Sequence, residues 1–303
     1  MKKILLLCLV LNAGIFVSAQ STEINTYPTH WWVGMKNPAL QVMLHGENIG
    51  KSDFSTSYTG VKLQKVVKAE NPNYVFIDLL IAANAKPGIV IIKMKSNGIS
   101  QEIPFSLKPR RMGKSSSFAQ GVTSKDFIYL IMPDRFSNGD ESNDRIAGMR
   151  DQTLRRDTVF NRHGGDLKGI TNKLDYLQSL GVTTLWLNPV LENDRVNRTE
   201  HGYAFTDHYK VDARLGGDAA YKNLINAVHA KGLKIIQDAV YNHVDIHHVT
   251  VMDQPMKDWL HQWPDYTNTT YKDQVLFDPY ASSIDRKIME DGWFTKEMPD
   301  LNQ

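Results

Sequence analysis

The chain has 303 residues, 42% of them hydrophobic and 22% charged, which is enough to bury a core and suggests two domains or one large one. Its net charge is +2 with no long basic stretch, so a nucleic-acid partner is not expected, because phosphate binding needs a concentrated positive field. The single cysteine, Cys8, falls in the first twenty residues, so no disulfide is expected in the remainder.

Residues 1–19 read as a secretory signal. Lys2 and Lys3 open it, Ile4 to Val17 is apolar, and Ser18-Ala19-Gln20 is a small-residue exit with cleavage expected after Ala19. The apolar run is shorter than the roughly 20 residues of a membrane span. Leu7 before Cys8 disfavours lipidation, so no stable membrane anchor is expected.

Residues 20–112 alternate short strands and turns. Leu40 to Leu44, Tyr74 to Ile81 and Gly88 to Met94 are strand runs, broken by Gly46, Asn48, Gly50, Lys86-Pro-Gly88 and Ser96-Asn-Gly98. That spacing predicts an immunoglobulin-like β-sandwich as the N-terminal module. Trp31 and Trp32 precede the first of these strands and suit packing better than sugar stacking. Residues 113–119, overlapping the turn-rich and charged stretch from Arg110 to Phe118, read as a linker.

Residues 120–303 follow a different grammar. Asp126 to Met132 is an unbroken apolar run, as in a strand buried on both faces. Gly165 leads into a helix through Leu180, with Ile170, Leu174, Leu177 and Leu180 on one face and Gly181 as the stop. Val182 to Leu187 is a second strand. Asp218 starts a second helix carrying Leu224, Ile225, Val228 and Ala230, closed by Gly232, and Leu233 to Asp238 is a third strand. Strands alternating with helices predict α/β architecture and a parallel sheet. From residue 244 to 303 the periodicity fails, which suggests a long insertion.

Parallel α/β barrels place their working residues on loops at the carboxyl ends of the strands. After the first strand, Asn138, Asp140, Asn143 and Asp144 crowd together around Gly139, a set that suits either a hard cation or a solvated turn. After the second come Asn188, His201, Tyr203 and Tyr209. After the third come Asp238, Asn242 and His243. Asp238 reads either as a structural acid paired with an arginine or as part of a polyol-binding cleft. The spacing of His243, His247 and His248 fits no standard zinc set. Trp186, Tyr203 and Tyr209 could each be core or stacking residues.

Four segments then resemble one family, in its order along the chain. Asp238-Ala-Val-Tyr-Asn-His243 resembles the first conserved region of the α-amylase superfamily, glycoside hydrolase family 13. His201-Gly-Tyr203 with Asp207-His-Tyr209 resembles the segment supplying its stacking tyrosine. Gly181 to Pro189 resembles its second barrel strand, and Met298-Pro-Asp-Leu-Asn302 its fifth conserved region. The sandwich resembles the extra module of neopullulanases and cyclomaltodextrinases.

The resemblance implies the first three βα units of a TIM (β/α)8 barrel, with residues 244–303 as domain B. It implies a substrate of maltooligosaccharides, cyclodextrins or pullulan, split at α-1,4 and in some members α-1,6 bonds. Tyr203 would stack under the sugar, His201 and His243 would bind its hydroxyls, Asp238 would be the structural acid near the catalytic centre, and Asn242 matches a position there that helps order the insertion or binds calcium in some members. Asn138, Asp140, Asn143, Asp144, Gly164 and Asp166 would hold a structural calcium. A homodimer of the full-length parent fits the family. The retaining mechanism needs an aspartate nucleophile and a glutamate acid/base. No Gly-x-Arg-x-Asp segment occurs in the sequence, so no catalytic residue is assigned and the chain is expected to be an inactive N-terminal fragment. A non-catalytic glucan-binding protein, a broken-gene product or a calcium-stabilised structural module are the alternatives. Export to a periplasm is expected, with a cell-surface or extracellular place fitting equally.

Overall fold

The computed structural model describes residues 23–96, 99–113, 121–273 and 275–302. The expected signal, with Cys8, and residues 114–119 of the expected linker lie outside the described residues.

Eight strands build the N-terminal module: β1 (Asn25–Tyr27), β2 (His30–Trp32), β3 (Ala39–His45), β4 (Asp53–Thr56), β5 (Val61–Lys68), β6 (Tyr74–Ile81), β7 (Gly88–Ser96) and β8 (Ile99–Lys108). They form two sheets, ordered β1-β3-β6-β5 and β2-β8-β7-β4. Strand alternation fixes the register, because a slip of one residue would turn every apolar side chain outward. Leu40, Val42 and Leu44 pair with Leu79, Ile77 and Val75, and all six are buried. Val90, Ile92, Ile103 and Phe105 meet them from the second sheet in one core. Trp31 and Trp32 sit within β2 rather than before the strands, and Trp31 packs against that core.

Strand β6 departs from alternation: Tyr74, Val75, Phe76 and Ile77 are all buried. Its outer face is covered by the insertion. Phe76 lies 6.2 Å from Trp259 between ring centroids, and the Tyr74 hydroxyl donates to the Val249 carbonyl at 3.5 Å. Asp253 fastens the same seam, accepting from Asn73 Nδ2 at 2.9 Å and lying 2.8 Å from His45 Nε2.

The second module holds β9 (Ile128–Ile131), α1 (Pro133–Phe136), α2 (Leu167–Asn172), α3 (Leu174–Ser179), β10 (Thr184–Leu187), β11 (Leu191–Glu192), β12 (Asp207–Val211), α4 (Gly217–Ala230), β13 (Lys234–Gln237), α5 (Val249–Met252) and α6 (Ser283–Asp291). Strands β9, β10 and β13 form a parallel sheet with β10 in the middle. The helix expected from Gly165 to Leu180 is two helices, because the backbone leaves helical geometry at Lys173 (φ −109°, ψ 10°). Asp166 caps α2 by accepting from Gly169 N–H at 2.6 Å. Ile170, Leu174 and Leu177 are buried as the periodicity requires, whereas Leu180 at the end of α3 and Ala230 at the end of α4 are exposed.

The first strand is not buried on both faces. Ile131 and Leu187 are covered by the helices, while Leu130 (56% exposed) and Trp186 (40%) stand in register on the other face. The helices cover only one side of the sheet. The described residues of 244–302 are largely irregular, apart from α5, α6, a 3-10 turn at Val275–Phe277 and scattered bridges such as His243 with Asp300. A capping box of Ser282 and Asp285 starts α6.

Candidate active-site cleft

The loops leaving β10 and β13 bring the anticipated residues together. Asp238, immediately after β13, accepts at one oxygen from the Tyr203 hydroxyl (2.9 Å) and from Trp186 Nε1 (3.1 Å). Among the described residues no arginine pairs with it, and it is half-buried rather than buried. An indole and a phenol replace the cation because Trp186 lies on the open face of the sheet, one strand away.

His201 and Tyr203 present stacked rings, 5.9 Å apart at 27°. Gly202 between them has φ +82°, and a Cβ there would strike the Pro189 carbonyl, so glycine is required for this close turn. The Tyr203 N–H donates to His201 Nδ1 at 2.9 Å, which leaves the proton of the neutral ring on Nε2. Burial, reinforced by Arg195 and Arg198, lowers His201 to about 4, so the ring is neutral at physiological pH. Burial raises Tyr203 to about 12, helped by its bond to Asp238, so its hydroxyl stays a donor.

His243 is buried against the same group. Its Nε2 lies 3.1 Å from the Tyr203 carbonyl, which accepts, and its Nδ1 lies 3.4 Å from Asn242 Nδ2. Burial lowers its pKa too. Phe294 stacks on the His243 ring at 4.9 Å and Tyr271 on Phe294 at 5.3 Å. Beside them opens a cleft of about 450 Å³, lined by Asn242, His243, Tyr271, Met289 and Phe294 among others. The amide of Asn242, the neutral His243 ring and the Glu290 carboxyl stand among aromatic faces, a mix of hydrogen-bonding groups and ring surfaces that suits a polyol. His247 and His248 turn away, towards Asp245 and His208 respectively.

Asp300 holds this loop, and sequence reasoning gave it no role. It is 2% exposed, accepts from Asn242 Nδ2 and lies against His261 Nδ1, each at 2.6 Å, while its backbone bridges to His243. Its place inside Met298-Pro-Asp-Leu-Asn302 was the available signal. Phe294 and Tyr271 carried none, since they lie in the aperiodic stretch.

The oxygen-rich loop is also assembled. Asn138 Nδ2 donates to Asp144 Oδ1 at 2.8 Å, and Gly164 closes over both with φ +83°, where a Cβ would come 2.6 Å from Asp144 Oδ1. Asn143 Oδ1 is buried without a partner, and burial raises the Asp144 carboxyl against the Asn138 amide. A hard cation would answer both needs. Asp140 is diverted to Ser142 and Lys168, and Asp166 is occupied by backbone N–H groups of Gly139, Asp140 and Gly169. Among the described residues no group of three or more His, Cys, Asp or Glu is arranged for a metal. The donors that fit here are largely amide oxygens.

Comparison with known proteins finds a family match in each module. Residues 130–302 match the family described as alpha amylase, catalytic domain, and residues 25–111 match cyclomaltodextrinase, N-terminal. A periplasmic alpha-amylase of Escherichia coli (strain K12) is 31% identical over 189 residues, covering 55% of this chain and 28% of that protein. A cyclomaltodextrinase of Thermoanaerobacter pseudethanolicus is 37% identical over 132 residues, covering 43% and 22%. Neopullulanase 2 of Thermoactinomyces vulgaris is 39% identical over 119 residues, covering 38% and 19%. The crystal structure of an Anoxybacillus alpha-amylase is 34% identical with a TM-score of 0.46, covering 59% of this chain and 34% of that one. The chain therefore spans less than a third of each of the three relatives it matches. With a catalytic-domain match over more than half its residues, this chain belongs to the α-amylase family, glycoside hydrolase family 13.

Proposed function

We propose that residues 120–303 form the first three βα units of a TIM (β/α)8 barrel with its domain B, and that they supply one side of a sugar-binding subsite in an exported α-glucan hydrolase of the neopullulanase and cyclomaltodextrinase type. The observation that carries this is the stacked His201–Tyr203 pair, tied to Asp238 and buttressed by His243. Tyr203 offers a ring face, and His201 offers Nε2–H as a donor. In this reading the nucleophilic aspartate and the glutamate acid/base of a retaining mechanism follow residue 303. The names of the relatives support maltooligosaccharides, cyclodextrins or pullulan as the substrate class.

Calcium would be held by Asn143, Asp144 and Asn138, with Gly164 bounding the cradle, and would fix the loop that follows β9. Thermal melting with and without calcium tests this: the midpoint should rise by several degrees in millimolar calcium, and Gly164→Ala should abolish the rise. An unchanged midpoint in the wild type sinks the assignment.

The subsite is tested by titrating maltotriose while following the Met289 methyl group in the cleft by NMR. Tyr203→Ala should weaken the response roughly tenfold, a loss of about 1.4 kcal/mol. Equal binding by wild type and variant, or no response in either, overturns the reading.

A further inference from the structure

A second cavity lies on the other side of the 238–248 loop, between the two modules. It measures about 620 Å³, within the roughly 300–1,000 Å³ typical of small-molecule sites. The sandwich contributes Tyr27 and Met43, β11 and β12 contribute Glu192, Asp207 and Tyr209, and the insertion contributes Met252 and Trp259. Neighbouring side chains along one loop thus serve different cavities: Tyr241 lines this one and Asn242 the cleft.

We propose that this cavity is a second binding site for a short, neutral α-glucan, separate from the subsite at Tyr203. The inference rests on the proposed function for its ligand class, and on the walls of the cavity for its existence. Tyr27 and Tyr209 pack at 5.3 Å with rings tilted by 48°, and Tyr209 remains 44% exposed, so an apolar ring face is left for the C–H face of a sugar. Polar groups stand beside that face. Asp207 is neutralised by Lys210 at 3.0 Å. Glu192 accepts from the Thr206 hydroxyl at 3.3 Å, and burial raises its carboxyl towards the neutral form. Lys210 stands against Glu23, Glu192 and Asp207 in the lining, with no cluster of basic groups, which suits a polyol and disfavours a phosphate. Trp259 adds an indole to the same wall. The two modules must be docked for the site to exist, so the N-terminal module would take part in glucan capture through it.

Methionine methyl groups report each cavity separately: Met43 and Met252 line this one, and Met289 lines the cleft. Maltotriose titrated into the methyl-labelled full chain should shift all three saturably. Tyr209→Ala should weaken the Met43 and Met252 response by roughly tenfold and spare Met289, while Tyr203→Ala does the reverse. Tyr209→Phe, which keeps the ring, should bind like wild type and shows that the fold tolerates change there. A shift confined to Met289 overturns this site and leaves the proposed function standing. Equal Met43 and Met252 responses in wild type and Tyr209→Ala also overturn it. No shift at any of the three overturns both.

Discussion

Acid should destabilise this protein through its buried histidines, and His248 makes the effect calculable. Its Nδ1 accepts from the Thr250 N–H at 3.2 Å, and its Nε2 lies 3.2 Å from His208 Nδ1. With Nδ1 used as an acceptor, the neutral ring keeps its proton on Nε2 and donates it to His208. A second proton on Nδ1 would forfeit the bond from the Thr250 N–H and have to turn to the Thr250 hydroxyl, 2.8 Å away. Burial lowers His248 to about 4, with His208 adding to it, and burial lowers His208 in the same direction. The folded pKa lies below the unfolded value near 6.5, so the unfolded chain takes up protons first. The contribution is fully present above pH 6.5 and is lost as the pH falls towards 4. For a single group with these two values, the loss between pH 8 and pH 5 is about 2 kcal/mol. His201, also lowered to about 4 by burial, adds a comparable loss, giving roughly 4 kcal/mol for the two. Guanidinium unfolding followed by tryptophan fluorescence at pH 8, 6.5 and 5 measures it. His248→Gln should remove about 2 kcal/mol of the pH dependence. A variant with the wild-type pH dependence, or a wild type whose stability is flat over this range, refutes the reasoning.

Two further outcomes follow from the seams between segments. Asp253→Ala removes the acceptor shared by His45, Asn71 and Asn73 and should cost about 2 kcal/mol, with calorimetry resolving separate melting of the sandwich and the second module. A single unshifted transition would show that Asp253 does not couple them. Asp300→Ala removes the buried acceptor shared by Asn242 and His261 and should cost about 2 kcal/mol, while the His243 ring resonances move as its loop loosens. Wild-type stability with unmoved His243 resonances would argue against the latch.

Local sequence settled a good deal. Period-two alternation at Leu40–Leu44 was sufficient for β3, and the glycine-punctuated apolar runs from Asp126 to Asp238 were sufficient for three parallel strands, because each pattern records which side of its own element meets the core. The polar residues after those strands were likewise legible, and the structure does gather His201, Tyr203, Asp238 and His243. Contacts between distant segments decided the rest. Buried Tyr74 and Phe76 look like a doubly covered strand, yet their outer cover comes from residues more than 170 positions away. Leu130 read as core and Trp186 as either core or a stacking residue, but the helices reach only one face of their sheet and both stand exposed on the other. Asp300 became the support of His243, and Tyr209 the wall of a second cavity, only when the chain folded back on itself. A periodic pattern encodes how an element faces its nearest layer. Which remote surface supplies that layer is fixed by tertiary packing alone.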